Sequence, residues 1–216
     1  MSNSYEKSNT FRLRVWGNYA CFTRPEMKVE RVSYDVMTPS AARGMLEAIL
    51  WKPAIHWHIQ QIDVLRSICW ESIRRNEVGA AMSSRSPGLY IEDHRQQRAG
   101  LFLKDVAYVI HAQFEITDKA GPDDNIRKFE DMFARRAEKG QCYHRPYFGC
   151  REFSANFELV PDTTELPPLI DETRDLGIML FDIDFTGQEP VPMWFRARLQ
   201  NGCLQIPSPN SREVLR

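Results

Sequence analysis

From Asp105 to Ile116 every second residue is apolar: Val106, Tyr108, Ile110, Ala112, Phe114 and Ile116. A sustained period of two predicts a strand with one buried face. The other parity carries Asp105, Ala107, Val109, His111, Gln113 and Glu115. A fold built on this strand must cover one side and leave a polar, titratable side uncovered.

The remaining elements supply the cover. Phe11 to Trp16 alternates, with Phe11, Leu13 and Val15 inward and Arg12, Arg14 and Trp16 outward. Thr38 followed by Pro39 starts a helix to about Trp51, stopped by Lys52-Pro53, with Ala42, Met45, Leu46 and Ile49 as its stripe. Ile55, Trp57 and Ile59 alternate with His56, His58 and Gln60. The phase slips at Gln60-Gln61, which predicts a bulge. Asp123 or Asp124 caps a second helix to about Lys139, with Ile126, Phe129, Phe133 and Ala137 buried and Gly140 terminating it. A last strand runs from Arg151 to Val160. The order β-α-β-β-α-β predicts an α+β, ferredoxin-like (RRM-like) domain with both helices on one sheet face.

Two shifts in composition divide the chain. Gly79 to Gly100 is rich in Ser, Gly and Arg and reads as a mobile insertion, with arms at Ile68–Glu77 and Gln97–Leu103. The basic insertion spans about 67–104. Pro161 to Pro168 breaks regular structure and predicts a boundary between residues 1–160 and a smaller β-rich, antiparallel extension at 161–216. The five cysteines contain no CxxC pair. That pattern argues against a disulfide framework and fits a reducing cytoplasm. No apolar run is long enough to span a bilayer, so no membrane is expected. The formal net charge of -1 gives no global sign of a nucleic-acid partner, so local positive clusters carry that argument.

The uncovered face is predicted to hold Arg12, Arg14, Trp16, His56, His58, His111, Gln113, Ser154 and Asn156. An uncovered polar sheet with arginines and an aromatic suits RNA, although a solvated face is the plain alternative. Three of the five histidines lie there. Imidazole can take a proton from a ribose 2′-OH or return one to a leaving 5′-oxygen, and the RNA then brings its own nucleophile. His56-x-His58 with His111 also suggests a metal, but no Asp, Glu or Cys cluster accompanies them at ligand spacing. No metal or cofactor is expected. The RNA-contacting set is expected to be Arg12, Arg14, Arg24, Arg43, Arg74, Arg75, Arg95, Arg98, Lys104, Arg145 and Arg151. The Arg74 to Arg98 group on the arms is the stronger phosphate track; Arg127, Lys128, Arg135 and Arg136 read as the wet face of a helix. The loop "KGQCYHRPYFGC" mixes glycine, aromatic and basic residues and suits either a close backbone approach or a packed turn.

The run "RLRVWGNYACFTRPEMKVERVSYDVMTPSAARGMLEAILWKPAIHW" resembles the N-terminal signature of the Cas-five family of CRISPR-associated proteins, type I-C (Dvulg) branch. "RRNEV", "QQRAGLFLKDVAYVIHAQFE", "GCREFSANFEL" and "DLGIMLFDIDF" extend the likeness to about Phe185. The resemblance implies a RAMP-type ferredoxin-like domain and a subunit that processes pre-crRNA. Such proteins cut at the 3′ base of the repeat hairpin by 2′-OH attack, leaving a 2′,3′-cyclic phosphate. They then hold the 5′ handle within Cascade, beside its other subunits. Some members are described with a tyrosine where this chain has Leu50, which does no proton chemistry. The family's lysine and histidine fall on the strand that here reads His111-Ala112-Gln113. The expected catalytic set is therefore His111, helped by Lys52 or His56, with Arg12 and Arg14 against the phosphorane charge. The alternative is a binding module that clamps the handle without cutting, its basic arms also open to duplex DNA.

Overall fold

The computed structural model describes residues 7–185 and 187–216. The strands are β1 (Phe11–Ala20), β2 (Ile55–Val64), β3 (Cys69–Val78), β4 (Arg95–Ile116), β5 (Asn156–Val160), β6 (Arg174–Asp184), β7 (Val191–Gln200), β8 (Cys203–Gln205) and β9 (Val214–Leu215). Helix α1 (Pro39–Ile49) lies between β1 and β2, the single turn α2 (Ile91–His94) precedes β4, and α3 (Ile126–Glu138) precedes β5. The strands form one antiparallel sheet in the order β5-β1-β4-β2-β8-β7-β6, with β3 on β4 and β9 on β7. Among the described residues no helix is long and apolar enough to cross a membrane.

The alternating strand is longer than its pattern suggests. β4 runs for 22 residues and uses its first half to pair with β3, from Cys69↔Lys104 to Val78↔Arg95. The arms of the insertion are thus an ordered hairpin. Its outer end is mostly polar on both faces, so period-two apolarity is absent there, and backbone pairing with charged side-chain pairs such as Glu77–Arg98 holds it. Asp105, at φ 54, sits where β4 leaves β3. Aspartate is among the few side chains that tolerate this left-handed region.

Both long helices pack on the apolar face. In α1, Thr38 Oγ1 accepts from the Ala41 amide at 3.3 Å, which satisfies one of the free donors of the first turn. The helix ends at Ile49, two residues earlier than the pattern implied, because Leu50 turns extended. In α3 the cap is Asn125, whose Oδ1 accepts from the Lys128 amide at 2.9 Å. Asp124 instead accepts from the Gly121 amide. Phe133 of α3 meets Phe11 and Trp57 at ring-centroid distances of 4.9 and 4.7 Å.

 Phe114 joins the cluster through Trp57 at 5.1 Å and Phe11 at 6.3 Å. Burying such rings is a large part of what holds α3 to the sheet, and truncating one typically costs about 3–5 kcal/mol.

β5 starts at Asn156 and not at Arg151. Residues 150–153 form a turn, closed by the Phe153 amide on the Cys150 carbonyl at 2.9 Å, which sends the Phe153 ring onto Phe102. The phase slip in β2 is a bulge: the register with β4 shifts between Ile59 and Gln61.

Candidate active site

The bulge decides what faces solvent. Before it, His56 and His58 pair with Glu115 and Gln113. After it, Gln61 pairs with His111, and Asp63 shares that face. Across the sheet the row reads Val160, Arg12, His111, Gln61 and Gln205.

Asp63 is 2% exposed, yet its carboxylate is fully engaged. His111 Nε2 lies 2.7 Å from Asp63 Oδ2, and Gln61 Nε2 donates to Oδ1 at 2.7 Å. Gln205 Nε2 in turn donates to Gln61 Oε1 at 2.6 Å, which fixes the amide that fixes the carboxylate. A carboxylate accepts, so this contact places the proton on Nε2 and leaves the lone pair on Nδ1. The described residues give Nδ1 no hydrogen-bond partner. The His111 side chain remains 16% exposed. This is an oriented imidazole with one free basic nitrogen on a polar face.

The other two residues of the expected catalytic set stand apart from it. His56 pairs with Glu115, four residues along β4 from His111, or roughly 13 Å at strand spacing. Lys52 lies beyond the end of β2, where Ile55 already pairs with Ile116, five residues from His111, or roughly 16 Å. Its charge is felt instead by Asp124, ahead of α3. Leu50 is fully buried in the helix-side core, and its carbonyl accepts from Trp57 Nε1 at 3.1 Å. It therefore lies behind the sheet from His111.

His56 and His58 form their own pair, rings T-shaped at 4.8 Å, with His58 Nε2 3.1 Å from Glu115 Oε1. His56 keeps exposed surface, but the protein around it holds its pKa below the ordinary histidine value. Desolvation is the main cause, followed by His58 and Arg43. Among the described residues no three His, Cys, Asp or Glu side chains converge as a metal-ligand group.

Most of the expected RNA-contacting residues already have partners. Arg12 Nη2 donates to the carbonyls of Pro161 and Thr164, and its side chain is 15% exposed, so it tethers the segment after β5. Arg14 pairs with Glu158 at 2.8 Å and lies over Trp16. Arg24 pairs with Asp35 at 3.0 Å, and Arg43 grips Asp182 through two bonds of 2.8 Å. Arg75 and Arg98 gather around Glu77, Arg75 also reaching Glu152, and Lys104 meets Glu71 at 3.3 Å. Arg145 donates to Asn156 Oδ1 at 2.8 Å. Arg74, Arg95 and Arg151 are exposed, and the described residues give them no ion pair. They are the side chains most available to a phosphate.

Asp63, Gln61 and Gln205 were not expected from the sequence as site residues. The slip at Gln60-Gln61 held the signal for the first two, since it moves Asp63 onto the histidine face. Arg31 was also missed; it lies 3.4 Å from Cys150 Sγ and 3.3 Å from Glu152.

Residues 10–207 match the family profile described as CRISPR-associated protein (Cas_Cas5). A protein of Mannheimia succiniciproducens named CRISPR pre-crRNA endoribonuclease Cas5d is 55% identical over 225 residues, covering 97% of this chain and 100% of its own length. One of the same name from Thermus thermophilus is 43% identical over 223 residues, covering 95% and 94%. Two solved structures share the fold. One, described as a CRISPR-associated protein, has a TM-score of 0.75 at 22% identity, covering 99% of this chain and 100% of its own. The other, a functionally uncharacterized protein from Streptococcus mutans, has a TM-score of 0.74 at 20% identity with the same coverage.

Proposed function

The chain belongs to the CRISPR-associated Cas5 family, and from that premise we propose that it is a pre-crRNA endoribonuclease that cuts repeat RNA by 2′-OH attack, without a metal in the step. The relatives' names support the activity and the RNA. After cutting, the protein stays on the 5′ handle as a subunit of a type I-C Cascade. The order β5-β1-β4-β2, with α1 and α3 on one face, supports reading residues 1–160 as a ferredoxin-like RAMP unit. Residues 161–216 are then its β-rich extension, joined edge to edge through β8.

The observation that carries the mechanism is the His111–Asp63 pair at 2.7 Å on the face without helices. His111 Nδ1 takes the proton of the ribose 2′-OH. The 2′-oxygen bonds to phosphorus as the bond to the 5′-oxygen breaks. The products are a 2′,3′-cyclic phosphate and, once the leaving oxygen is protonated, a 5′-OH. Arg12, on the rung beside His111, supplies positive charge near the phosphate while keeping the tethering bonds. Arg74, Arg95 and Arg151 hold more distant phosphates.

The test uses repeat RNA in EDTA, with and without a single 2′-deoxy sugar at the cut site. The proposal expects one discrete cut in EDTA, abolished by the deoxy sugar. Cutting of the deoxy substrate, or loss of cutting in EDTA, contradicts it. A non-cutting clamp is the second reading, favoured by the buried Leu50 at the position where some members carry a tyrosine. It expects tight binding and no cut.

A further inference from the structure

Resting on the reading of the protein as an RNA-cutting enzyme, we propose that the cavity between β2, α1 and β6 receives one unpaired nucleobase of the RNA beside the cut. The cavity holds about 430 Å³, inside the range of about 300–1,000 Å³ common for small-ligand sites. It exists because β8 pairs with β2 only over Gln61–Asp63, so β8 leaves the edge from Ile55 to Ile59 uncovered. A bulge in β6 between Leu180 and Asp182 turns Phe181, Asp182 and Ile183 toward that gap.

The lining suits a base better than a phosphate. Arg43 is held by Asp182 and by Glu47 at 2.7 Å, so its charge is already matched and it serves as a fixed wall. Beyond it the lining combines the rings of Trp57, Phe181 and Phe185 and the imidazoles of His56 and His58 with aliphatic side chains and the Asp184 carboxylate. Phe185 is 68% exposed on the lining and offers a face for stacking, which every base accepts. Desolvation, with His58 and Arg43 close by, lowers the His56 pKa and so favours its neutral form. A neutral imidazole presents one donor and one acceptor, the pairing that a base edge needs. Arg216, also on the lining, suits the phosphate attached to that base.

Position links the cavity to the cut. His58, on its wall, pairs with Gln113, two residues from His111 on β4. Diagonal neighbours of this kind lie about 7–8 Å apart, a distance that one nucleotide of extended backbone spans. A base seated against His56 and His58 thus delivers the adjoining phosphate to His111.

Repeat RNAs carrying a single abasic nucleotide at successive positions around the cut test this. Binding and cleavage are measured for the wild type, Phe185→Ala and His56→Ala. The wild type should show one position where base loss weakens binding by about 5- to 100-fold, and that penalty should vanish in both variants while penalties elsewhere persist. Equal penalties in all three proteins at every position overturn the proposal, even if the variants impair assembly with another protein. Because Phe185 is exposed, its truncation removes no core contact and guards against a folding artefact. RNA that binds with the expected pattern but is never cut refutes the nuclease reading and leaves the base site standing. Cutting with no coupling to the variants does the reverse.

Discussion

His111 and Asp63 face one another at 2.7 Å because β2 slips one residue against β4 after Ile59. Without that slip Asp63 would point into the helix-side core, and the imidazole would lack its anchor. Replacing Asp63 with Asn keeps the shape and removes the strong acceptor. We expect cleavage to slow by about 10²-fold, at the lower end of what a positioned base contributes, with RNA affinity unchanged. A rate–pH profile that shifts in Asp63→Asn identifies a positioning role, which a merely structural effect would not produce.

The arginines divide into paired and unpaired groups, and salt dependence separates them. Loss of Arg74, Arg95 or Arg151 should each lower the slope of log K against log salt by about 0.7, the single-strand value per phosphate. Loss of Arg24 should leave the slope unchanged, because that guanidinium serves Asp35 and lies over Tyr34. Parallel salt titrations of the variants check this.

The split between legible and hidden parts of the site follows from range. The period of β4, the caps of α1 and the phase slip in β2 are local patterns, and each marked its element. The hairpin of β3 with β4 is held by backbone pairing between segments whose side chains do not alternate in polarity, so the sequence offered only unstructured arms. The matching of Arg12 to the Pro161 and Thr164 carbonyls joins residues 149 and 152 positions apart in the chain, and nothing local announces it. The row from Arg12 through His111 to Gln61 needed the sheet register, whereas the residue types on its face needed only alternation.

His56 should make the fold sensitive to mild acid. Its folded pKa lies below the unfolded value of about 6.5, chiefly through desolvation. Between those two values the unfolded chain binds more protons, so stability rises with pH and falls on acidification through this window. His56→Gln should show a shallower loss of stability below about pH 6.5, read by denaturant unfolding across pH.

Gly149 should resist substitution. Its φ is 77, and an added Cβ would lie 2.0 Å from the Cys21 carbonyl oxygen. Gly149→Ala should destabilise the protein by more than about 2 kcal/mol, since it adds left-handed strain to a backbone clash. Thermal unfolding of this variant beside Gly140→Ala separates the two effects, because Gly140 shares the positive φ but has open space around its Cβ.

The most direct measurement is the single-turnover cleavage of repeat RNA in EDTA by the wild type and His111→Ala, with RNA affinity measured in parallel. One discrete wild-type cut is expected, with a rate lower by about 10²–10⁴-fold in the variant and binding retained. A discrete cut at the wild-type rate by His111→Ala would contradict it and move the chemistry away from the His111–Asp63 pair.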